Sequence, residues 1–220
     1  CCSPETVRTA RAGAHALGIP HLTLDVAERF RAGVVEEFIA GYRAGRTPNP
    51  CVTCNGRVRF RVLADAAALL GARLMATGHY ARMGRDGRGE ALVSRAADAG
   101  KDQSYMLAML GRDERERIVF PLGDLHKERV REMAGEAGLP GALAVESQEV
   151  CFVGEGGYAP FLERSGGLAA RVGPIEDASG RLLGTHGGHW RFTGGQGGGI
   201  GRAGPEPAYR LAPPPAPNPP

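Results

Sequence analysis

A chain of 220 residues with 42% hydrophobic content is long enough for one large domain or two modest ones, with enough apolar residues for a core. No apolar run is long enough to span a bilayer and the opening Cys-Cys-Ser-Pro-Glu-Thr is no signal peptide, so a membrane class is excluded and a cytoplasmic location expected. Five cysteines, an odd number, argue against a secreted disulfide framework and for catalytic, redox or metal roles, while a net charge of +3 only mildly favours a polyanion partner.

Ser3, Pro4 and Glu5 form a helix start that predicts a helix over Pro4 to Leu17, stopped by Gly18. His21 to Val26 reads as a short buried strand. From Ala27 to Tyr42 the residues Phe30, Val34, Val35, Phe38 and Ile39 share one helical face, ending near Gly45. Pro48 and Pro50 fix φ and push their predecessors toward extended conformations, which places Cys51 on a preset loop. Asn55 then reads as an N-cap for a helix from Gly56 to Leu70, with Cys54 just ahead of it, where unpaired N–H groups and the helix dipole favour a thiolate.

After Gly71, Arg73 to Thr77 is a buried-strand candidate with Gly78-His79 at its carboxyl end, where open α/β sheets place ligands. The plainer alternative is that Gly78 makes a turn and His79 caps something. Ala81 to Ala99 predicts a hairpin returning from Asp86-Gly87 through Ala91 to Ser94. Lys101-Asp102-Gln103-Ser104 precedes a short helix candidate over Tyr105 to Leu110, Phe120 to Asp124 marks a turn, and Lys127 to Ala137 reads as a helix ending at Gly138. Val145 to Val153 patterns as a strand burying Cys151, and Gly173 to Trp190 as the start of a β-rich module. Beyond Gly194 the chain turns Gly-rich, and Leu211 to Pro220 is Ala/Pro-rich, favouring extended polyproline conformations. The order is that of an α/β protein with a parallel sheet.

Cys51 and Cys54 form a Cys-x-x-Cys, and the thiols admit three chemistries. Structural zinc is disfavoured, because a second ligand pair is missing unless adjacent Cys1 and Cys2 supply it, and neighbouring cysteines chelate poorly. A thioredoxin-like redox pair fits the Pro-rich lead-in only partly. The third option joins Cys51, Cys54 and Cys151, as a persulfide and nucleophile or as three ligands of an iron–sulfur cluster. Spacing alone does not rank them.

Thr47-Pro-Asn-Pro, Cys54-Asn55, Ala76-Thr-Gly-His-Tyr-Ala-Arg82, Lys101-Asp-Gln-Ser-Tyr105, Phe120-Pro-Leu-Gly-Asp124 and Ser147-Gln-Glu-Val-Cys-Phe152 together resemble the ordered signature of the tRNA-specific 2-thiouridylases, the MnmA/TrmU family, from Cys1 to about Gln196. The resemblance implies a partial Rossmann-like, PP-loop type parallel sheet over residues 1–117, a small helical tRNA-binding domain carrying Cys151 over 118–167, and a truncated β-barrel start with a Gly/Pro-rich tail over 168–220. It implies ATP-dependent 2-thiolation of wobble uridine 34 through adenylation and a cysteine persulfide, with Mg2+ beside ATP. Cys151 matches the persulfide carrier and Cys54 the partner that attacks it. Gly78 matches an ATP-contacting glycine. Asn49, Pro50, Cys51, His79, Lys101, Asp102, Gln103 and Gln196 match positions touching tRNA or the target base. The partners implied are tRNA and a persulfide donor, a cysteine desulfurase or sulfur relay protein.

Three departures bear on that expectation. Many relatives carry Asp where Cys51 stands, and a Cys there favours the variant thought to hold a 4Fe–4S cluster with Cys54 and Cys151. The family's phosphate-binding loop is expected ahead of Cys1, and without it ATP binding should be poor. Gly197 and Gly198 replace a basic pair in the segment Phe192 to Gly201, and the tail does not resemble the family's barrel. The alternative from another class is a tRNA-binding or iron–sulfur remnant without catalysis, and below it a plain thiol redox module.

Overall fold

The computed structural model describes residues 3–140, 150–154, 156–193 and 195–196. Two compact units emerge, Cys1–Val34 with Cys51–Gln148, and Val35–Pro50 with Glu149–Pro220. This division follows a different line from the three-part sequence reading, since residues 35–50 go with residues 149–220.

In the first unit α1, Pro4–Ala16, begins as its cap residues predict: Ser3 Oγ accepts the Thr6 N–H at 3.2 Å, and Gly18, at φ 65°, follows its end. His21 to Val26 departs from expectation. It forms no ladder, and Leu22 and Leu24 are exposed, because a strand is stabilised by a pairing neighbour and none is present among the described residues. The predicted helix from Ala27 comes in three pieces: α2 (Ala27–Phe30), a π-helical turn (Arg31–Val35) and α3 (Glu36–Arg43).

The largest correction concerns the cysteine loop. Pro50–Cys54 is helical (α4), a π-helical turn spans Asn55–Arg59, and α5 covers Phe60–Leu69. Pro50 opens this helix because its fixed φ suits the first helical position, where its missing N–H costs nothing. Cys51 therefore sits in a helical turn, and Asn55 is no cap.

The strand pair is parallel, as an α/β fold requires: β1 (Met75–Ala76) lies beside β4 (Ile118–Val119), with Met75 paired to Ile118 and Ala76 to Val119. Between them β2 (Ala81–Arg85) and β3 (Ala91–Arg95) form the predicted hairpin. Its turn is held by Asp86, whose Oδ1 accepts the N–H groups of Arg88 at 2.8 Å and Glu90 at 2.9 Å. A 3-10 turn over Ser104–Leu107, α6 (Arg112–Glu116) and α7 (Lys127–Glu136) complete the unit. Phe60, Ala67, Met75, Ala81, Leu107, Leu110, Ile118 and Phe120 form its core.

The second unit packs α3 and α8 (Tyr158–Gly166) around Phe38, Tyr42, Val153, Leu162, Leu168 and Trp190. Its rings interlock: Tyr42 stacks on Tyr158 at 4.9 Å, and Phe152 meets Phe38 and Phe161 edge-on, each at 5.3 Å. Gly41 and Gly166 allow close approach, since a Cβ would lie 2.9 Å from the Pro48 ring and 2.8 Å from Leu168 respectively. The hairpin β5 (Gly173–Glu176) and β6 (Leu182–His186) stands as the β-rich start; among the described residues no barrel closes. Most of Val145 to Val153, and the Gly- and Pro-rich tail, lie outside the described residues. No helix among the described residues is long and apolar enough to cross a membrane.

Candidate active site

The first unit gathers its motifs against one another. Cys51 and Cys54, three positions apart on α4, share a helix face and are both half-buried, with Pro50 buried and Asn49 exposed at the helix entrance. The π-helical turn begins at the next residue. Asn55 is only 2% exposed, and its Nδ2 donates to the Met106 carbonyl at 3.3 Å. Beside it Gly56 presses on Met109, so the helix rests on the 3-10 turn that comes after Lys101-Asp102-Gln103.

Gly78-His79 lies just past β1 at its carboxyl end. Gly78 is exposed, and the nearest atom to a Cβ there would be Leu122 Cδ1 at 3.8 Å, leaving its backbone open to a ligand. His79 turns inward. Its ring stacks on Phe60 at 5.8 Å, meets Phe120 edge-on at 6.1 Å and shares a 2.8 Å hydrogen bond between Nδ1 and Thr77 Oγ1. Burial, helped by the nearby Arg59 cation, pushes its pKa down to about 4, so the ring is neutral at pH 7. The structure thus places His79 within the core packing.

Gln103 clips Tyr80, the residue after His79, from both sides: its Oε1 accepts the Tyr80 N–H at 3.0 Å and its own N–H donates to the Tyr80 carbonyl at 2.8 Å. Asp102 orders the same loop, accepting the Ala96 N–H at 2.9 Å and the Ser104 hydroxyl at 2.8 Å. Burial raises its pKa, but these donors outweigh that and hold it below the usual carboxylate range. Lys101 is exposed. Phe120 to Asp124 closes the set. Arg82 Nε lies 2.8 Å from Asp124 Oδ1, and at Gly123 a Cβ would sit 2.0 Å from the Ala81 carbonyl oxygen, so only glycine fits.

Cys151 belongs to the second unit. It is exposed on a turn over residues 151–153, not buried in a strand, while Phe152 and Val153 anchor that turn in the aromatic core. Gln196 Oε1 accepts the Thr193 N–H at 2.9 Å. Among the described residues no three His, Cys, Asp or Glu side chains gather as a cation site.

Two features escaped sequence reasoning. Asn55 reads as a cap because Asn commonly is one; the apolar residues three positions to either side of it, Val52 and Val58, were the available signal. The other is an open cleft of about 470 Å³ in the first unit, lined by Arg29, Arg57, Arg61, Asp65 and Glu114 among others, where Arg29 pairs with Asp65 at 3.2 Å.

A parallel α/β unit with an open glycine just past a strand end and two half-buried thiols on a nearby helix defines the class: an α/β fold with a thiol pair. Residues 1–155 match the family model described as the tRNA methyl transferase HUP domain, and the chain belongs to that family. It is 49% identical over 209 residues to a protein of Sorangium cellulosum named tRNA-specific 2-thiouridylase MnmA, covering 95% of this chain and 54% of that protein. Proteins of the same name from Geobacter metallireducens and Chloroflexus aggregans are 46% and 45% identical, covering 95% and 99% of this chain and 57% and 61% of theirs. The chain thus spans somewhat more than half the length of these curated relatives.

Proposed function

We propose that the chain carries the sulfur-transferring part of a tRNA-uridine 2-sulfurtransferase, acting with ATP on wobble uridine 34. The observation that carries this reading is the similarity to proteins named 2-thiouridylases running across both thiol-bearing segments, together with thiols at partly or fully accessible positions.

Gly78 fits a nucleotide, since its backbone is open and the strand end is the usual ligand position of such sheets. The uridine O2 takes the adenylyl group of ATP and pyrophosphate leaves; bound Mg2+ would supply charge balance to the phosphates. Cys151 carries a persulfide. The Cys54 thiolate attacks Cys151 Sγ, the persulfide S–S bond breaks, a Cys54–Cys151 disulfide forms, and the terminal sulfur departs as hydrosulfide. That sulfur adds to C2 and AMP leaves with the former O2. An external thiol reductant restores both thiols, and a persulfide donor, a cysteine desulfurase or sulfur relay protein, reloads Cys151. Asn49, Cys51, Lys101 and Gln196 offer surface for tRNA, with buried Pro50 fixing the helix entrance beside Asn49, Asp102 and Gln103 ordering the loop and His79 backing it.

The sulfur transfer as written balances without iron, and the iron content of the purified protein tests the alternative use of Cys51, Cys54 and Cys151 as cluster ligands. The test is mass spectrometry of tRNA nucleosides from cells lacking their own 2-thiouridylase that express this reading frame from its genomic context. Appearance of 2-thiouridine supports the reading, and its absence with soluble protein present overturns it.

A further inference from the structure

We propose that Asn55 and Gly56 are positioning residues that set where the Cys51 and Cys54 thiols lie relative to the loop carrying Lys101 to Gln103. The inference deepens the thiol-site reading above and assigns a task to two residues which that chemistry leaves idle.

Asn55 is a polar side chain inside a helix, buried at 2% exposure. Its Nδ2 reaches the Met106 carbonyl at 3.3 Å, while its Oδ1 has no hydrogen-bond partner among the described residues. A buried amide with one half unsatisfied lowers stability relative to an apolar residue of the same size. Its return is directional: the bond to Met106 admits one rotation and one height of the helix, where an apolar contact would admit several.

Gly56 makes the second point of the joint. A Cβ there would lie 2.4 Å from Met109 Cβ and 3.3 Å from both Cγ and Sδ. The obstructing atom is the first of its side chain, fixed to the backbone, so rotation of Met109 cannot relieve the contact. Any larger residue pushes the helix away from residues 106–109.

The π-helical turn over Asn55–Arg59 starts at this joint. A π turn inserts an extra residue per turn and so shifts the rotational phase between the helical segments on its two sides. The turn bearing the thiols is thereby rotated relative to α5, whose Phe60 is locked in the core at 0% exposure. The surface it meets is equally fixed: Leu107 is a core residue, and Gln103 is clipped to Tyr80 at 3.0 and 2.8 Å. The amide bond and the glycine contact therefore join the thiol turn to residues 106–109, which Gln103 ties to Tyr80.

The test reads alkylation of individual cysteines by iodoacetamide, resolved by peptide mass spectrometry, in the full chain without tRNA or ATP. Cys151, in the other unit, serves as internal reference, and thermal midpoints are recorded on the same samples. For Asn55→Leu we expect the Cys54-to-Cys151 rate ratio to change by at least about threefold while the thermal midpoint stays level or rises, a combination that a merely structural role does not produce. Gly56→Ala should shift the ratio too, and the double variant Gly56→Ala with Met109→Gly, which moves the glycine across the contact, should restore it. Unchanged ratios in folded Asn55→Leu and Gly56→Ala overturn the proposal, as does a double variant that folds yet keeps the altered ratio. Because the assay needs no turnover, its failure is distinct from failure of the sulfur-transfer reading.

Discussion

The two units hold their cysteines in opposite ways. In the first, Cys51 and Cys54 sit half-buried on a helix pinned by Asn55 and Gly56, inside a set of motifs that contact one another through His79, Gln103 and Gly123. In the second, Cys151 stands exposed on a turn anchored by its apolar neighbours Phe152 and Val153. A thiol that collects sulfur from another protein needs access, whereas a thiol that must strike one bond needs orientation. The contrast is what the roles proposed above for Cys151 and Cys54 require.

The comparison breaks most visibly at each unit's tightest point. Gly123→Ala forces a Cβ against the Ala81 carbonyl, for which the backbone must shift, and we expect a loss of about 3 kcal/mol in the first unit, read as an early far-UV circular dichroism transition. Leu162→Ala empties a fully buried site in the second unit at a cost of about 2–5 kcal/mol. Trp190, the single tryptophan of the chain, lies in that unit's core, so its emission should report Leu162→Ala before Gly123→Ala. Coincident responses of both probes to both variants would deny the two-unit description.

A smaller effect concerns pH. His79 has a folded pKa of about 4 against 6.5 when exposed, so the folded state holds it neutral and the unfolded state binds the proton first. Stability is therefore fully present above pH 6.5 and falls as pH drops from 6.5 toward 4, by at most about 3 kcal/mol, a loss that His79→Gln should remove from urea titrations across that window. A pH dependence unchanged in the variant would place the titrating group elsewhere. Smaller still, exposed Cys151 should alkylate several times faster than half-buried Cys54 in the native protein, and guanidinium should erase the difference.

What was legible in the sequence came from local chemistry. Ser3-Pro4 starts a helix and Asp86 folds a hairpin turn because both use neighbouring donors and acceptors. The strand expected at His21 to Val26 failed for the opposite reason, since a ladder depends on a distant partner. The cysteine segment misled because Pro48 and Pro50 disfavour helix before themselves, yet Pro50 itself is well suited to open one. Candidate residues of the first unit form a neighbourhood, but the sequence pattern does not tell a ligand contact from a brace: Gln103 and Asp102 spend polar atoms on the backbone, and His79 is packed between phenylalanines.

The most direct measurement of the central claim is the 2-thiouridine content of tRNA from cells lacking their own enzyme, expressing this reading frame in its genomic context, beside Cys54→Ser and Cys151→Ser. The account predicts 2-thiouridine with the unaltered protein and none above background with either variant. Modification that persists in either serine variant, at matched protein levels, would contradict the two-thiol mechanism.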